Sequence, residues 1–300
     1  MIIPIFSIIF FCSCTFNDKP KASNSSDSNA TKKVCMVLDK GGKDDHSFNE
    51  AAAKGFEKAL KELTLNSESK FVEPKTDSQI PQYLNNFASS GNCDLLITIG
   101  FNPSSYLKDL VEKFPQKKFA AIDVDLSSKN TKNNLRSITF DEHEGSFIVG
   151  YIAALKSKQN KIGFIGGMDV PLIHRFEMGY EAGAKYLNPK IEITSGYIGV
   201  TPDAWNNPTK AKELALAQYN SGADIIFQVA AASGQGVFDA ASDMTLNKKP
   251  KTFFAIGVDS NQNWIDPKII ITSMVKKVDM AVYSSIKDLV NNAFTTGNIN

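Results

Sequence analysis

The sequence has little histidine, no excess of either charge, and no apolar run long enough to cross a membrane. Lys and Arg number 33 against 32 Asp and Glu, a net charge of +1. No broad field therefore draws the chain to nucleic acid or gives it a polybasic contact with a membrane surface. The three histidines, His46, His143 and His174, form no H-E-x-x-H pair, and no two of the four cysteines have zinc-ligand spacing. A G-x-S-x-G elbow and a Walker loop are both missing, and no two carboxylates are paired by the sequence for acid–base work. These absences argue against an enzyme and imply no metal and no cofactor. Any partner has to be read from local chemistry.

The longest apolar run, residues 2–13, is about a dozen residues, short of the ~20 a membrane helix needs. It suits the apolar core of a secretory signal, although no Lys or Arg precedes it. It ends Phe11-Cys12-Ser13-Cys14, which resembles a bacterial lipobox with Ser13 as the small residue and Cys14 as the acylated acceptor. Residues 15–33 are rich in Ser, Asn, Asp and Lys and have almost no apolar content. They read as a flexible tether between a lipid anchor and a folded body. The expected organisation is thus a signal and lipobox over 1–14, a tether over 15–33, and a palmitoylated protein held at the cell membrane facing the periplasm or exterior. Cys35 and Cys93 stand at the starts of predicted strands. In an exported protein they can pair, or serve as two small buried hydrophobes.

From residue 34 the pattern alternates. Apolar runs at 34–39, 94–100, 117–123 and 135–140 read as buried strands, with a shorter strand at 70–74. Helical spacing marks 48–63, 80–90 and 104–113. The second half repeats the scheme, with strands at 161–167, 191–198, 223–230, 251–259 and 269–275. Its helices fall at 143–156, 174–187, 208–220, 234–244 and 278–294, and no strand is predicted after the last helix. Alternating βα units of this length call for α/β architecture: two doubly wound parallel-sheet lobes, 34–142 plus 278–300 and 143–277. Ligands of such sheets sit beyond the carboxyl ends of the strands. Those ends carry Asp39, Gly100-Phe101, Asp123, Gly166-Gly167, Ala231-Ala232 and Asp259.

Four segments there are candidates for binding. In 39–50, Ser47 and Glu50 have capping-box spacing. A cap and a turn account for those two residues but not for Phe48 beside Asp45, His46 and Asn49. In 166–186, Phe176 lies in the first turns of a helix, where core packing is the competing explanation. In 229–240, Ala232, Gly234 and Gly236 are small enough to let a ligand reach backbone N–H groups. Asp259, just past a strand, is either a solvated turn residue or a carboxylate able to accept from a ribose diol. Lys276 follows the last strand and can complement a polar ligand.

Together these stretches resemble the basic membrane protein family, the lipoprotein solute-binding proteins that include purine-nucleoside receptors of spirochaetes. The resemblance runs through D-x-G-G-x-x-D-x-S-F-N (39–49), EGSFIVGYIAA (144–154), KIGFIGGMDVPLIHRFEMGYEAGAKY (161–186), A-A-x-x-G-x-G-V (231–237), A-I-G-V-D-S-x-Q (255–262) and I-T-S-x-x-K-x-V-D-x-A-V (271–282). It implies a type I periplasmic-binding-protein-like fold that delivers a nucleoside, purine favoured, to an ABC permease. It also implies a base held between Phe48 and Phe176, with Asn49 and Asp123 on base or cleft polar groups and Asp259 and Lys276 on the ribose. The chain departs from the family at Ala230-Ala231-Ala232, where an A-A-G turn is usual, and at Asn261, where many relatives carry a second Asp. It also ends at Asn300, before the usual Gly-rich C-terminal stretch. A surface adhesin or antigen without a transport role is the alternative.

Overall fold

The computed structural model describes residues 31–89, 92–126, 134–248 and 250–300. The expected signal, Cys14 and most of the tether lie outside these residues. Among them no helix is long and apolar enough to cross a membrane.

Among the described residues eleven strands and nine α-helices follow one another in a largely alternating order. The first group is β1 (Val34–Val37), α1 (Phe48–Glu62), β2 (Lys70–Val72), α2 (Gln79–Ser89), β3 (Leu95–Ile99), α3 (Phe101–Ser104), α4 (Leu107–Lys113), β4 (Lys118–Ile122) and β5 (Leu135–Ile138). The second is α5 (Glu142–Lys156), β6 (Lys161–Met168), α6 (Pro171–Leu187), β7 (Glu192–Gly199), α7 (Pro208–Asn220), β8 (Ile225–Val229), α8 (Gly234–Asn247), β9 (Phe254–Asp259) and β10 (Ile270–Val275). The chain closes with α9 (Val278–Val290) and β11 (Gly297–Ile299). Two short 3-10 turns, Pro202–Asn206 and Ala231–Ser233, follow β7 and β8.

The strands form two all-parallel sheets. One is six-stranded in the order β11-β5-β4-β3-β1-β2, the other five-stranded in the order β10-β9-β8-β6-β7. Each is apolar on both faces because successive side chains point to opposite sides. Val34 and Met36 of β1 enter the core under α1 and α9, while Cys35 and Val37 enter the core under α2 and α4. In the second sheet Ile225 and Phe227 face α5 and α6, and Ile226 faces α7 and α8. The chain passes between the sheets over 139–141, from β5 into α5, and over 276–277, from β10 into α9.

Several element bounds shift from the sequence pattern, the single helix expected over 104–113 being two, α3 and α4, and two differences have a plain cause. Helix α6 starts at Pro171 rather than His174. Proline at a first helical position has its φ already set and loses no needed N–H, so it opens the helix instead of delaying it. Strand β11 follows the last helix, where no strand is expected. Two of its three residues, Gly297 and Asn298, have low strand propensity, and the segment pairs with the edge that β5 offers. Arg136 of β5 ties this segment down. Its guanidinium is almost wholly buried, donates to the Thr295 carbonyl at 2.9 Å and to Asp288 at 2.8 Å, and lies 4.2 Å from the centre of the Phe294 ring.

Cys35 and Cys93 form a disulfide with Cα atoms 5.9 Å apart, joining β1 to the segment just before its neighbour β3. The bridge closes a loop spanning a sequence separation of 58. By chain entropy that contributes about 4 kcal/mol. Replacing both cysteines by alanine should lower the free energy of chemical unfolding by that order, and adding reductant to the parent should reproduce the loss.

Helices α5 and α6 cross at small residues. A Cβ on Gly183 would lie 1.9 Å from the Phe147 carbonyl oxygen, and one on Gly150 2.0 Å from that of Tyr180. Alanine gains roughly 1 kcal/mol over glycine in helix propensity. Backbone overlap of this depth outweighs it, because neither helix can shift without opening a close-packed core. Gly183→Ala should therefore destabilise by about 1–3 kcal/mol in denaturant titration.

Candidate functional site

The carboxyl ends of both sheets face one cavity of about 360 Å³. From the first sheet come Asp39 and Lys40 after β1, Gly100 and Phe101 after β3, and Asp123 after β4. Met168 of β6, Val229 of β8 and Asp259 of β9 come from the second, and Lys276 and Thr139 come from the two crossings. Of the nine expected ligand-binding residues, Phe48, Asn49, Asp123, Phe176, Asp259 and Lys276 line this cavity.

The backbone at these ends is unusual. Asp123, Ala231 and Asp259 have φ of 69°, 49° and 64°, and Gly100 has 81°. The left-handed region is costly for residues with a Cβ, less so for Asp, and its concentration at one cavity is typical of a functional site. At Gly100 a Cβ would meet Asp39 Oδ2 at 2.5 Å and the Phe48 ring at 3.2 Å. Glycine there lets a carboxylate and an aromatic ring share one corner.

Lys276 is the centre of the polar network. Its ammonium is 2.6 Å from Asp123 Oδ1, with both side chains nearly removed from water. It also lies 5.7 Å from the centre of the Phe48 ring and 5.1 Å from those of Phe140 and Phe176. Aromatic faces are electron-rich and attract a desolvated cation. Burial nevertheless dominates at Asp123, whose carboxyl is held above its ordinary range despite the lysine. Burial likewise raises Asp259 to about 6 and Asp39 to about 7.

The loop before α1 uses its residues differently from the spacing. Ser47 does not cap the helix with its side chain; its hydroxyl donates to Asp259 Oδ2 at 2.6 Å, from one lobe to the other. Asp45 supplies the cap, accepting the backbone N–H groups of Ser47, Asn49 and Glu50 at 2.9–3.0 Å. Asp45 is therefore spent on the start of α1 and does not line the cavity. Glu50 is not a capping-box partner but pairs with Lys54 at 2.8 Å. Asn49 lines the cavity, yet its amide mostly braces the loop: it accepts from the Asp39 N–H at 2.9 Å and donates to Asp45 at 3.0 Å.

Ala232 and Gly234 also fall outside the lining. Ala230 and Ala231 reach the cavity instead, and Gly234 packs on Gln228, whose side chain its Cβ would overlap. Arg175 and Trp205 line the cavity without having been expected. Arg175 sits one residue before Phe176 and pairs with the fully buried Glu142. Trp205 lies over Gly167, where a Cβ would come within 2.2 Å of the indole. The Gly166-Gly167 pair was the available signal: two glycines ending a strand leave room for a ring from another element. Among the described residues no group of His, Cys, Asp and Glu could hold a metal ion.

Comparison with known proteins gives one direction. The sequence model of the Bmp family, described as ABC transporter substrate-binding protein PnrA-like, matches residues 32–300. Basic membrane protein D of Borreliella burgdorferi is 33% identical over 98% of this chain and 79% of its own length. An uncharacterized lipoprotein of Pyrococcus abyssi is 34% identical over 88% of this chain and 65% of its own. A solute-binding protein of an ABC transporter system from Aeropyrum pernix superposes with a TM-score of 0.81 at 31% identity, covering 89% of this chain and 73% of that one. With the two parallel-sheet lobes and the cavity at their strand ends, these matches show that the chain belongs to the Bmp, PnrA-like family of ABC transporter substrate-binding proteins.

Proposed function

We propose that the chain is the nucleoside-binding component of an ABC importer, tethered outside the membrane by lipid on Cys14. A purine nucleoside is captured in the cavity and handed to the permease, with no chemistry done on it. The observation that carries this reading is that Phe48 of one lobe and Phe176 of the other line a single cavity. Its volume lies within the ~300–1,000 Å³ range of small-molecule sites. Lys276 sits within 6 Å of both ring centres, so a flat heterocycle entering there meets two aromatic faces. Stacking contributes about 1–3 kcal/mol per base. Asp123 and Asp259, both buried and both lining the cavity, are acceptors for the hydroxyls of a sugar. The relatives named as lipoproteins and membrane proteins agree with the anchor.

Calorimetry of the folded body, from residue 31, with inosine, guanosine and adenosine should show binding at micromolar affinity or tighter. Phe48→Ala should weaken it by about 5- to 150-fold. A panel that gives neither heat nor thermal shift with the parent protein rules out a nucleoside ligand. Incubation with inosine should release no hypoxanthine.

The raised carboxyl of Asp39 makes a second expectation. The folded state keeps a proton near pH 7 that the unfolded chain gives up near pH 4. Protons are then held more tightly by the native state across that window, so stability falls as pH rises from about 4 to 7. Asp259 adds to this up to about pH 6. Asp39→Asn should raise the melting temperature of the ligand-free protein at pH 8 and flatten its decline from pH 5. An Asn variant as much less stable than the parent at pH 8 as at pH 5 would contradict the assignment.

A further inference from the structure

Among the described residues both chain crossings between the lobes lie at one side of the cleft. The crossings leave β5, next to the β11 edge of the first sheet, and β10, the edge strand of the second. At the far side lie β1 and β2 in the first sheet and β7 in the second. There, among the described residues, one ion pair spans the lobes. Lys40, three residues beyond Val37 at the end of β1, donates its ammonium to Asp203 in the 3-10 turn that follows β7. Asp77, before α2, stands 3.8 Å from the same ammonium and completes its cage from the first lobe.

The turn that carries Asp203 also carries Trp205. The indole packs against Gly167 and lines the cavity, while the preceding Ala204 is buried and accepts from the Ser233 hydroxyl at 2.7 Å through its carbonyl. The turn is thus rigidly held to its own lobe. Only Asp203, three-quarters exposed, reaches across to the other. Lys40 is itself part of the cavity lining, so the pair stands at the cavity and not on a remote surface.

We propose that Trp205 is a third aromatic wall of the binding site, and that the Lys40–Asp203 pair is its positioning device: a clasp opposite the crossings that keeps this wall closed over the ligand. With two crossings on one side, opening of the cleft separates the far side most. A contact there resists opening at the longest lever arm. The pair is solvent-exposed on its acidic side, so it is weak and salt-sensitive, suited to release as well as retention. Trp205 remains fixed to its lobe whether the clasp is made or not. Breaking the clasp should therefore shorten the time a ligand stays.

Trp205 reports on this directly if Trp264, the other tryptophan, is replaced by phenylalanine. In that background, without ligand, Lys40→Met and Asp203→Asn should each raise the acrylamide quenching of Trp205 emission. The reversed pair Lys40→Asp with Asp203→Lys should restore it, and 1 M NaCl should bring the parent to the level of the variants. With inosine as probe, stopped-flow dissociation should quicken by about 2- to 5-fold in each single variant, while the association rate changes less. Trp205→Leu should weaken equilibrium binding. Single variants that quench like the parent, or a reversed pair that behaves like the singles, would overturn the clasp. If the parent takes up no inosine, the nucleoside reading fails by itself and the quenching arm still decides the clasp.

Discussion

An ammonium group that has lost nearly all contact with water must be compensated where it stands. Lys276 meets that requirement with one carboxylate, Asp123, and three aromatic faces, Phe48, Phe140 and Phe176. The partners come from both lobes and from a crossing between them, so satisfying this one charge ties the two lobes' strand ends to one point. Removing a partner of such a pair is costly because the remaining charge stays buried; replacing both is far less so. The cavity is therefore built around a charge that the fold cannot easily give up. The aromatic rings that would hold a ligand are the same rings that hold the lysine.

The loop of 39–50 shows how the rest is fitted to that centre. Asp45 caps α1 with its carboxylate and so frees the Ser47 hydroxyl to reach Asp259. Asn49 fixes the backbone of Asp39, whose carboxyl lies against Gly100 and beside the Phe48 ring. The carbonyl of His46, another residue in the left-handed region, accepts from the Ser260 hydroxyl at 2.7 Å and from Gln262 at 3.1 Å. Hydrogen bonds near the crossings thus brace the lobes, while the far side of the cleft is spanned by Lys40 and Asp203.

Much of the architecture was legible in the sequence because its physical causes are local. Buried parallel strands must be apolar on both faces, and LLITI and FAAI have no other reading at that length. Six of the nine expected site residues line the cavity for a similar reason: they stand at strand ends, and doubly wound sheets leave only those ends open. Three do not, and each illustrates a limit. Asp45 and Ser47 are both able to cap, and only the approach of Asp259 from 212 positions away decides which one does. Ala232 and Gly234 looked accessible because they are small, but smallness serves packing against Gln228 equally well. Trp205 and Arg175 were not found because no periodicity distinguishes a side chain that faces a cleft from one that faces solvent. Strand β11 was missed because it forms by pairing and not by propensity.

The left-handed backbone at Asp123 and Asp259 has a consequence for how this site can vary over time. A carboxylate is wanted at both positions, and glutamate carries the same charge. Yet at φ of 69° and 64° the short aspartate is tolerated far better than a residue with a longer unbranched stem. The shape of the main chain thus restricts the alphabet before any ligand is consulted. Exchange to asparagine or glycine stays open, and exchange to glutamate is all but closed. Drift at these two strand ends should run toward loss of charge, so a relative that keeps the turn while changing its ligand would announce the change as Asn or Gly.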